Sequence, residues 1–324
     1  MKRFFKYLSL ILLISLISTC FIFRHRISLY ISVTKKIINS RDNLMNFNGS
    51  LNNTISDEYV EKNIIYKDTN NFPLTLDLYK PTKTLKSKSP VLIYVHGGSW
   101  SYGNKDIPEI LSPVLNIFRD EGYSIISISY ELMKESVNFD KQISDVKDAV
   151  RWVNKNKDIY NFDINEIGLV GISSGAHLAL MASYTDNTEF IDDNMLSFYP
   201  SNVKYVVDFS GPTDLSTIDI SNANDTIKDF LSHNSNKQNI INKYSPVNYI
   251  DNNDPKTLII HSKNDNIVPY NNGLTLYERS KTLGNNTKLI TLEHSGHDLS
   301  GSSNKDITNI ALSILLFILN NSPL

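Results

Sequence analysis

Cysteine is almost missing from this chain: Cys20 is the only one in 324 residues. It lies in an apolar N-terminal stretch, so the folded part of the protein can have neither an internal disulfide nor a thiolate metal site. Acidic residues are missing from the first 41 positions, which carry eight Lys/Arg and no Asp/Glu. The remainder holds 24 Lys/Arg against 34 Asp/Glu, a balance of about −10, which argues against a nucleic acid partner. No repeat of about 20–50 residues is visible, so solenoids and propellers are excluded. The seven histidines show no metal-ligand spacing, and neither a metal nor another cofactor is expected. With 41% hydrophobic and 20% charged residues, the composition is that of a globular chain able to bury one large core.

Long apolar runs are also missing, with one exception. Tyr7 to Phe23 is an uncharged run of 17 residues, preceded by Lys2, Arg3 and Lys6 and closed by Arg24 and Arg26. Seventeen is at the lower limit for a spanning helix. A cleaved signal would want small residues and a polar region after the run, whereas this one stays apolar to Phe23 and then turns basic. Residues 1–26 are therefore expected to be a membrane anchor or signal-like segment that exports the rest of the chain. Secretion after cleavage, or lipidation at Cys20, is the alternative. Residues 27–58 read as a basic and then polar, Asn-rich linker, and residues 59–324 as the folded domain.

Within that domain short aliphatic runs alternate with helical patterns. Strands are expected near 60–66, 74–79, 91–95, 124–129, 168–170, 203–209, 257–261 and 288–292. The runs VLIYV (91–95) and TLIIH (257–261) are apolar almost throughout, as in strands covered on both faces. Helices are expected near 143–153, 176–184, 273–283 and 307–319; Ile143, Val146, Val150 and Val153 already fall on one helical face. The alternation predicts an α/β fold, a doubly wound and mostly parallel sheet of about eight strands with helices on both faces. Its ligand crevice should lie at the carboxyl ends of the strands.

The chemistry-bearing residues sit where such strands end. Gly171-Ile172-Ser173-Ser174-Gly175 falls between a strand pattern and a helix pattern, the setting of a nucleophilic serine on a tight turn. Gly171 and Gly175 would let neighbouring chain approach, and the helix N-terminus would offer N–H groups to a developing oxyanion. His96-Gly97-Gly98-Ser99-Trp100 closes the VLIYV strand, and backbone donors from Gly98, Ser99 and Ala176 are expected to form an oxyanion hole. His96 and Gly97 would brace that loop. Asp265 follows the TLIIH strand and His297 follows the pattern at 288–292, which completes the order Ser, Asp, His. Asp214 is a rival acid and His294 a rival base; His297 is preferred because Gly296 would free the loop to turn the ring inward. The other histidines, His25, His177, His233 and His261, read as structural or exposed.

Taken together, HGGSW with Gly103 and Lys105, EGYSIISISYEL, ISDVKDAVRWV, IGLVGISSGAHLA, SGPTDL, SPVNYI, TLIIHSKNDNIVP and HSGH resemble the esterase and lipase branch of the α/β hydrolases over roughly residues 60 to 320. The likeness is to the carboxylesterase-like group near the feruloyl/acetyl esterases and the hormone-sensitive-lipase-like enzymes. Ser99 stands where that group often has a third glycine, and Ser262 where glycine is common ahead of the acid. The resemblance implies a serine hydrolase that cleaves small or medium acyl esters, its partner being a small-molecule ester. An amidase or formamidase on the same triad, or a binding module on the same fold, is the alternative.

Overall fold

The computed structural model describes residues 58–68, 72–84, 87–109, 111–134, 137–218 and 237–321, together with Ile31. The expected anchor at 1–26 lies outside the described residues, as do the linker at 27–58 apart from Ile31 and Glu58, and most of the segment after Asp214. Among the described residues no helix is long and apolar enough to cross a membrane. The chain divides into two compact units, residues 1–51 with 322–324 and residues 52–321, and the strands among the described residues belong to the second.

Eight strands form one sheet: β1 (Val60–Lys67), β2 (Leu74–Tyr79), β3 (Ser89–Val95), β4 (Ser124–Ile128), β5 (Phe162–Ile172), β6 (Tyr205–Phe209), β7 (Lys256–Ser262) and β8 (Thr287–Leu292). Their spatial order is β1-β2-β4-β3-β5-β6-β7-β8. The β1–β2 and β2–β4 pairs are antiparallel and all the others parallel. β1 and β2 are joined by a short connection and β2 reaches its antiparallel neighbour β4 only by way of β3, whereas each parallel pair is joined across at least one helix. β5 is longer than its apolar run suggests. Its polar start, Asp163 to Glu166, is carried into the sheet by the pairing of Phe162 with Ser89.

Helix α1 (Ser112–Asp120) and α7 (Asn304–Asn321) cover one face of the sheet, while α2 (Phe139–Lys155), α4 (Ser174–Tyr184) and α6 (Asn271–Thr282) cover the other; α3 (Lys157–Tyr160) and α5 (Lys237–Tyr244) are shorter. Alternation along the strands explains the division, since successive side chains point to opposite faces. Val91, Ile93, Val95, Val206 and Ile259 join the core beneath α2 and α4. On the opposite face the Tyr205 ring meets Phe317 of α7 edge-on at 6.1 Å. The doubly wound architecture predicted above is the one observed.

Asp208 is one of several polar residues buried in this core. Alternation puts it on the face of Val206, beneath α4, with no exposed surface. Its Oδ1 accepts the N–H of Gly211 at 2.8 Å, and its Oδ2 meets no hydrogen-bond partner among the described residues. Burial pushes the carboxyl up to about 7, against the pull of the Gly211 N–H. Because the folded chain then holds this proton to higher pH than the unfolded chain, stability falls as pH rises from about 4 through 7. Asp208→Asn should therefore raise the melting temperature more at pH 8 than at pH 5, by about 2–4 °C for each kcal/mol of linkage removed. Calorimetry at the two pH values checks this, and an equal effect at both would dismiss the proton linkage.

Candidate active site

Parallel pairing brings Val95, Gly171, Asp208, Ile259 and Leu289 into one row across β3, β5, β6, β7 and β8. Ser173, Asp265 and His297 lie beyond that row, past the carboxyl ends of β5, β7 and β8. β4 flanks β3 on one side and β5 on the other, so the winding reverses between β3 and β5. A crevice opens at such a reversal. The HGGSW loop leaves β3 on one side of it, and Ser173 ends β5 on the other.

Ser173 has φ 54° and ψ −122°, a conformation that L-residues rarely adopt. Its N–H is anchored to the carbonyl of Phe209 at 2.8 Å, and α4 starts immediately afterwards. Gly171 and Gly175 are needed for space. A Cβ on Gly171 would lie 2.5 Å from Ala176 Cα, and one on Gly175 would lie 2.3 Å from the carbonyl oxygens of both Val95 and His96. The tight turn therefore exists only because strand and helix touch backbone to backbone.

Ser173 Oγ lies 2.8 Å from His297 Nε2, and His297 Nδ1 lies 2.7 Å from Asp265 Oδ2. The other carboxylate oxygen, Oδ1, accepts the N–H groups of Ile267 (3.0 Å) and Val268 (2.8 Å). Burial works to raise the Asp265 carboxyl, but the His297 hydrogen bond and charge, with the N–H groups of Val268 and Ile267, outweigh it and hold the group below the usual carboxylate range. Asp265 stays ionised and fixes one tautomer of His297, with hydrogen on Nδ1 and a free electron pair on Nε2 toward the serine.

The rivals are placed elsewhere. Asp214 accepts the N–H of Ser216 at 2.9 Å and its hydroxyl at 2.6 Å, closing its own turn. His294 is exposed on the loop that carries His297. Gly296 has a different part from the one expected, since a Cβ there would lie 2.5 Å from Ser300 Oγ. It closes the loop by contact. His96 stacks on Tyr130 with centroids 4.2 Å apart, and its Nδ1 lies 2.8 Å from the carbonyl of Gly97, so it braces the turn. His261 and His177 are fully buried, while His25 and His233 lie outside the described residues.

Among the expected oxyanion donors, Gly98 and Ser99 lie in a turn of left-handed backbone, with φ of 126° and 48°; the carbonyl of Gly98 accepts from Ser101 and Tyr102. A Cβ at Gly97, the residue before them, would meet the carbonyl of Ile172 at 2.9 Å, so this turn lies directly against the serine. Ala176 is corrected: its N–H is committed to the carbonyl of Ser173 at 3.0 Å and cannot face the crevice. The first amides of a helix lack intrahelical acceptors, and in α4 the amide adjoining the serine is that of Ser174. The sequence signal for it was its place directly after the nucleophile.

Ser262, which replaces a glycine of the resembled group, joins the acid and base loops. Its hydroxyl donates to the carbonyl of Ser295 and accepts the N–H of Asn264 at 3.2 Å. Among the described residues no three His, Cys, Asp or Glu side chains gather to hold a metal ion.

Comparison with known proteins finds esterases among both sequences and solved structures. The chain is 26% identical over 249 residues to the esterase LipC of Mycobacterium tuberculosis, covering 74% of this chain and 61% of LipC. It is 32% identical over 123 residues to the arylacetamide deacetylase of Bos taurus, covering 37% of this chain and 30% of that protein. Across the M. tuberculosis esterases it matches, the chain spans about half their length, from 61% of LipC to 46% of LipQ. Among solved structures, a truncated carbohydrate esterase from gut microbiota superposes with a TM-score of 0.64 at 28% identity, covering 83% of this chain and 99% of that one. Thermogutta terrifontis esterase 2, at 20% identity, shares the fold with a TM-score of 0.66 over 83% of this chain and 98% of its own. The BD-FAE family model matches residues 76–279. That span takes in the HGGSW loop, Ser173 and Asp265, and it covers well over half of the chain. On an α/β-hydrolase fold with its serine, histidine and aspartate in line, this protein belongs to the BD-FAE family.

Proposed function

We propose that the protein is a carboxylic ester hydrolase that acts on small or medium acyl groups through an acyl-enzyme on Ser173. The observation that carries this reading is the unbroken line from Asp265 through His297 to Ser173, at 2.7 and 2.8 Å, ending on a strained turn at the N-terminus of a helix. His297 Nε2 takes the Ser173 proton as Oγ attacks the ester carbonyl, and Asp265 stabilises the imidazolium that results. The amides of Gly98, Ser99 and Ser174 face the oxygen on which negative charge develops. Collapse of the intermediate passes the proton to the leaving alcohol. Water then repeats the sequence to free the acid.

Incubation of the full chain with p-nitrophenyl acetate and a fluorophosphonate probe tests the reading. Turnover with the adduct mapped to Ser173 is expected; absence of both overturns it. An amide substrate is the second reading, suggested by the stretch shared with arylacetamide deacetylase. Comparison of kcat/KM for matched acetate esters and acetanilides separates the two, with the ester expected to be faster by at least about tenfold.

Ser262→Ala would free the acid loop from the base loop without touching the reacting atoms. A misplacement of about 1 Å costs on the order of 10² in rate, and a partial loosening is expected to lower kcat by about tenfold with KM little changed. Steady-state kinetics of the variant check this. Unchanged kcat would show that the two loops hold their spacing without the hydroxyl.

A further inference from the structure

The HGGSW turn needs support that its own sequence does not provide. Gly98, Ser99 and Trp100 are consecutive residues with φ of 126°, 48° and 62°. For Ser99 and Trp100 such a backbone costs on the order of 1–3 kcal/mol each, and it persists only where the surroundings over-determine it. Trp100 is held at both ends. Its carbonyl accepts from Gln142 Nε2 at 2.8 Å and from the N–H of Met133 at 3.0 Å. Its indole Nε1–H points to His177 Nδ1 at 3.1 Å.

His177 is fully buried on α4, one turn beyond Ser173, and the mechanism above makes no use of it. Its two partners settle its tautomer. The indole N–H can only donate, so Nδ1 must be unprotonated; the carbonyl of Tyr244, 2.7 Å from Nε2, can only accept, so Nε2 carries the hydrogen. Burial, only partly opposed by the Tyr244 carbonyl, drives the ring pKa down to about 4, so the ring stays neutral near neutral pH. Edge-on contact with Trp100 at 5.4 Å and a tilted contact with Phe139 at 5.5 Å fix its plane.

We infer that His177 is a positioning residue: it sets the oxyanion turn of residues 98–100 in register with the helix that carries Ser173 and Ser174, and Tyr244 keeps it in the tautomer that can do so. One side chain then fixes the distance between the two halves of the oxyanion site, one half on the β3 loop and the other on α4. The inference rests on the esterase reading proposed above.

Two substitutions separate the arms of the ring. His177→Asn places an amide oxygen near the position of Nδ1 and can still accept the indole hydrogen. His177→Gln places its amide nitrogen near Nε2, where it can reach the Tyr244 carbonyl, and leaves the indole without an acceptor. In the full chain with p-nitrophenyl acetate, H177N should keep kcat within about threefold of wild type, whereas H177Q should lose about 10–100-fold in kcat with KM little changed. Trp100→Phe removes the donor and keeps an aromatic ring; it should match H177Q, and the double variant should fall no further. It also provides the test should H177Q fail to fold. The chain has two tryptophans, so the Trp100 indole N–H resonance is identified by its loss in W100F. That resonance should stay at its wild-type position in H177N and move upfield in H177Q. An H177Q or W100F variant with wild-type kcat overturns the inference while leaving the esterase reading intact. So does an H177N variant as impaired as H177Q with its indole resonance unmoved. A wild-type chain without turnover brings down both.

Discussion

Replacing Ser173 by alanine should lower kcat by about 10⁴–10⁶ and abolish fluorophosphonate labelling, with little change in melting temperature. The loss is chemical because the substitution removes one atom. Oγ is the group that faces His297 Nε2 at 2.8 Å, while the backbone at φ 54° and the anchor to the Phe209 carbonyl do not depend on the side chain. Some acceleration over water should survive, since the amides of Gly98, Ser99 and Ser174, proposed above as the oxyanion donors, are backbone groups that the substitution leaves in place. Steady-state hydrolysis beside a thermal melt checks the prediction. A variant within about tenfold of wild-type kcat would remove Ser173 from the reaction.

Asp265→Asn should lower kcat by about 10⁴, and the reason lies in how the carboxylate is pinned. Oδ1 accepts two backbone N–H groups, from Ile267 and Val268. An asparagine must keep its oxygen there, because its NH2 group would otherwise face two donors. The NH2 group is thus turned toward His297 Nδ1, which must become the acceptor, and hydrogen moves to Nε2. In that tautomer the imidazole cannot accept the serine proton. Asp214→Asn is the matched control: Asp214 closes the turn to Ser216, and its loss should leave kcat within about threefold. Comparing the two variants at one pH decides between the carboxylates, and an active D265N enzyme would exclude the tautomer mechanism.

Much of the site was legible because its residues follow strands whose apolar runs declare themselves. VLIYV and TLIIH are buried almost throughout, so their ends, and with them the HGGSW loop and Asp265, could be placed from sequence. The line joining Ser173 to His297 spans 124 positions, and it was legible through motif order and the resemblance, not through periodicity. What escaped depended on contact between distant segments. The polar start of β5 is held by Ser89 across the sheet, and α5 buries only Ile241 and Tyr244, too little to mark a helical face. The motif alone does not show that the Ala176 amide is taken up by a helix hydrogen bond. With α4 starting at Ser174, the Ala176 amide turns back to the Ser173 carbonyl, and the donor proposed in its place is the amide beside the nucleophile. Gly296 and Ser262 carry the same lesson, because a missing Cβ or an added hydroxyl acquires meaning only from what lies opposite it.

The left-handed backbone at position 173 sets folding against reactivity. Glycine would rest there without penalty, so a chain drifting toward greater thermal resistance would be drawn to discard its hydroxyl. Screens that select only for heat tolerance in this protein should therefore enrich inactive variants at that one position. Stabilising changes sought elsewhere, such as relief of the buried carboxyl beneath α4, leave that tension untouched.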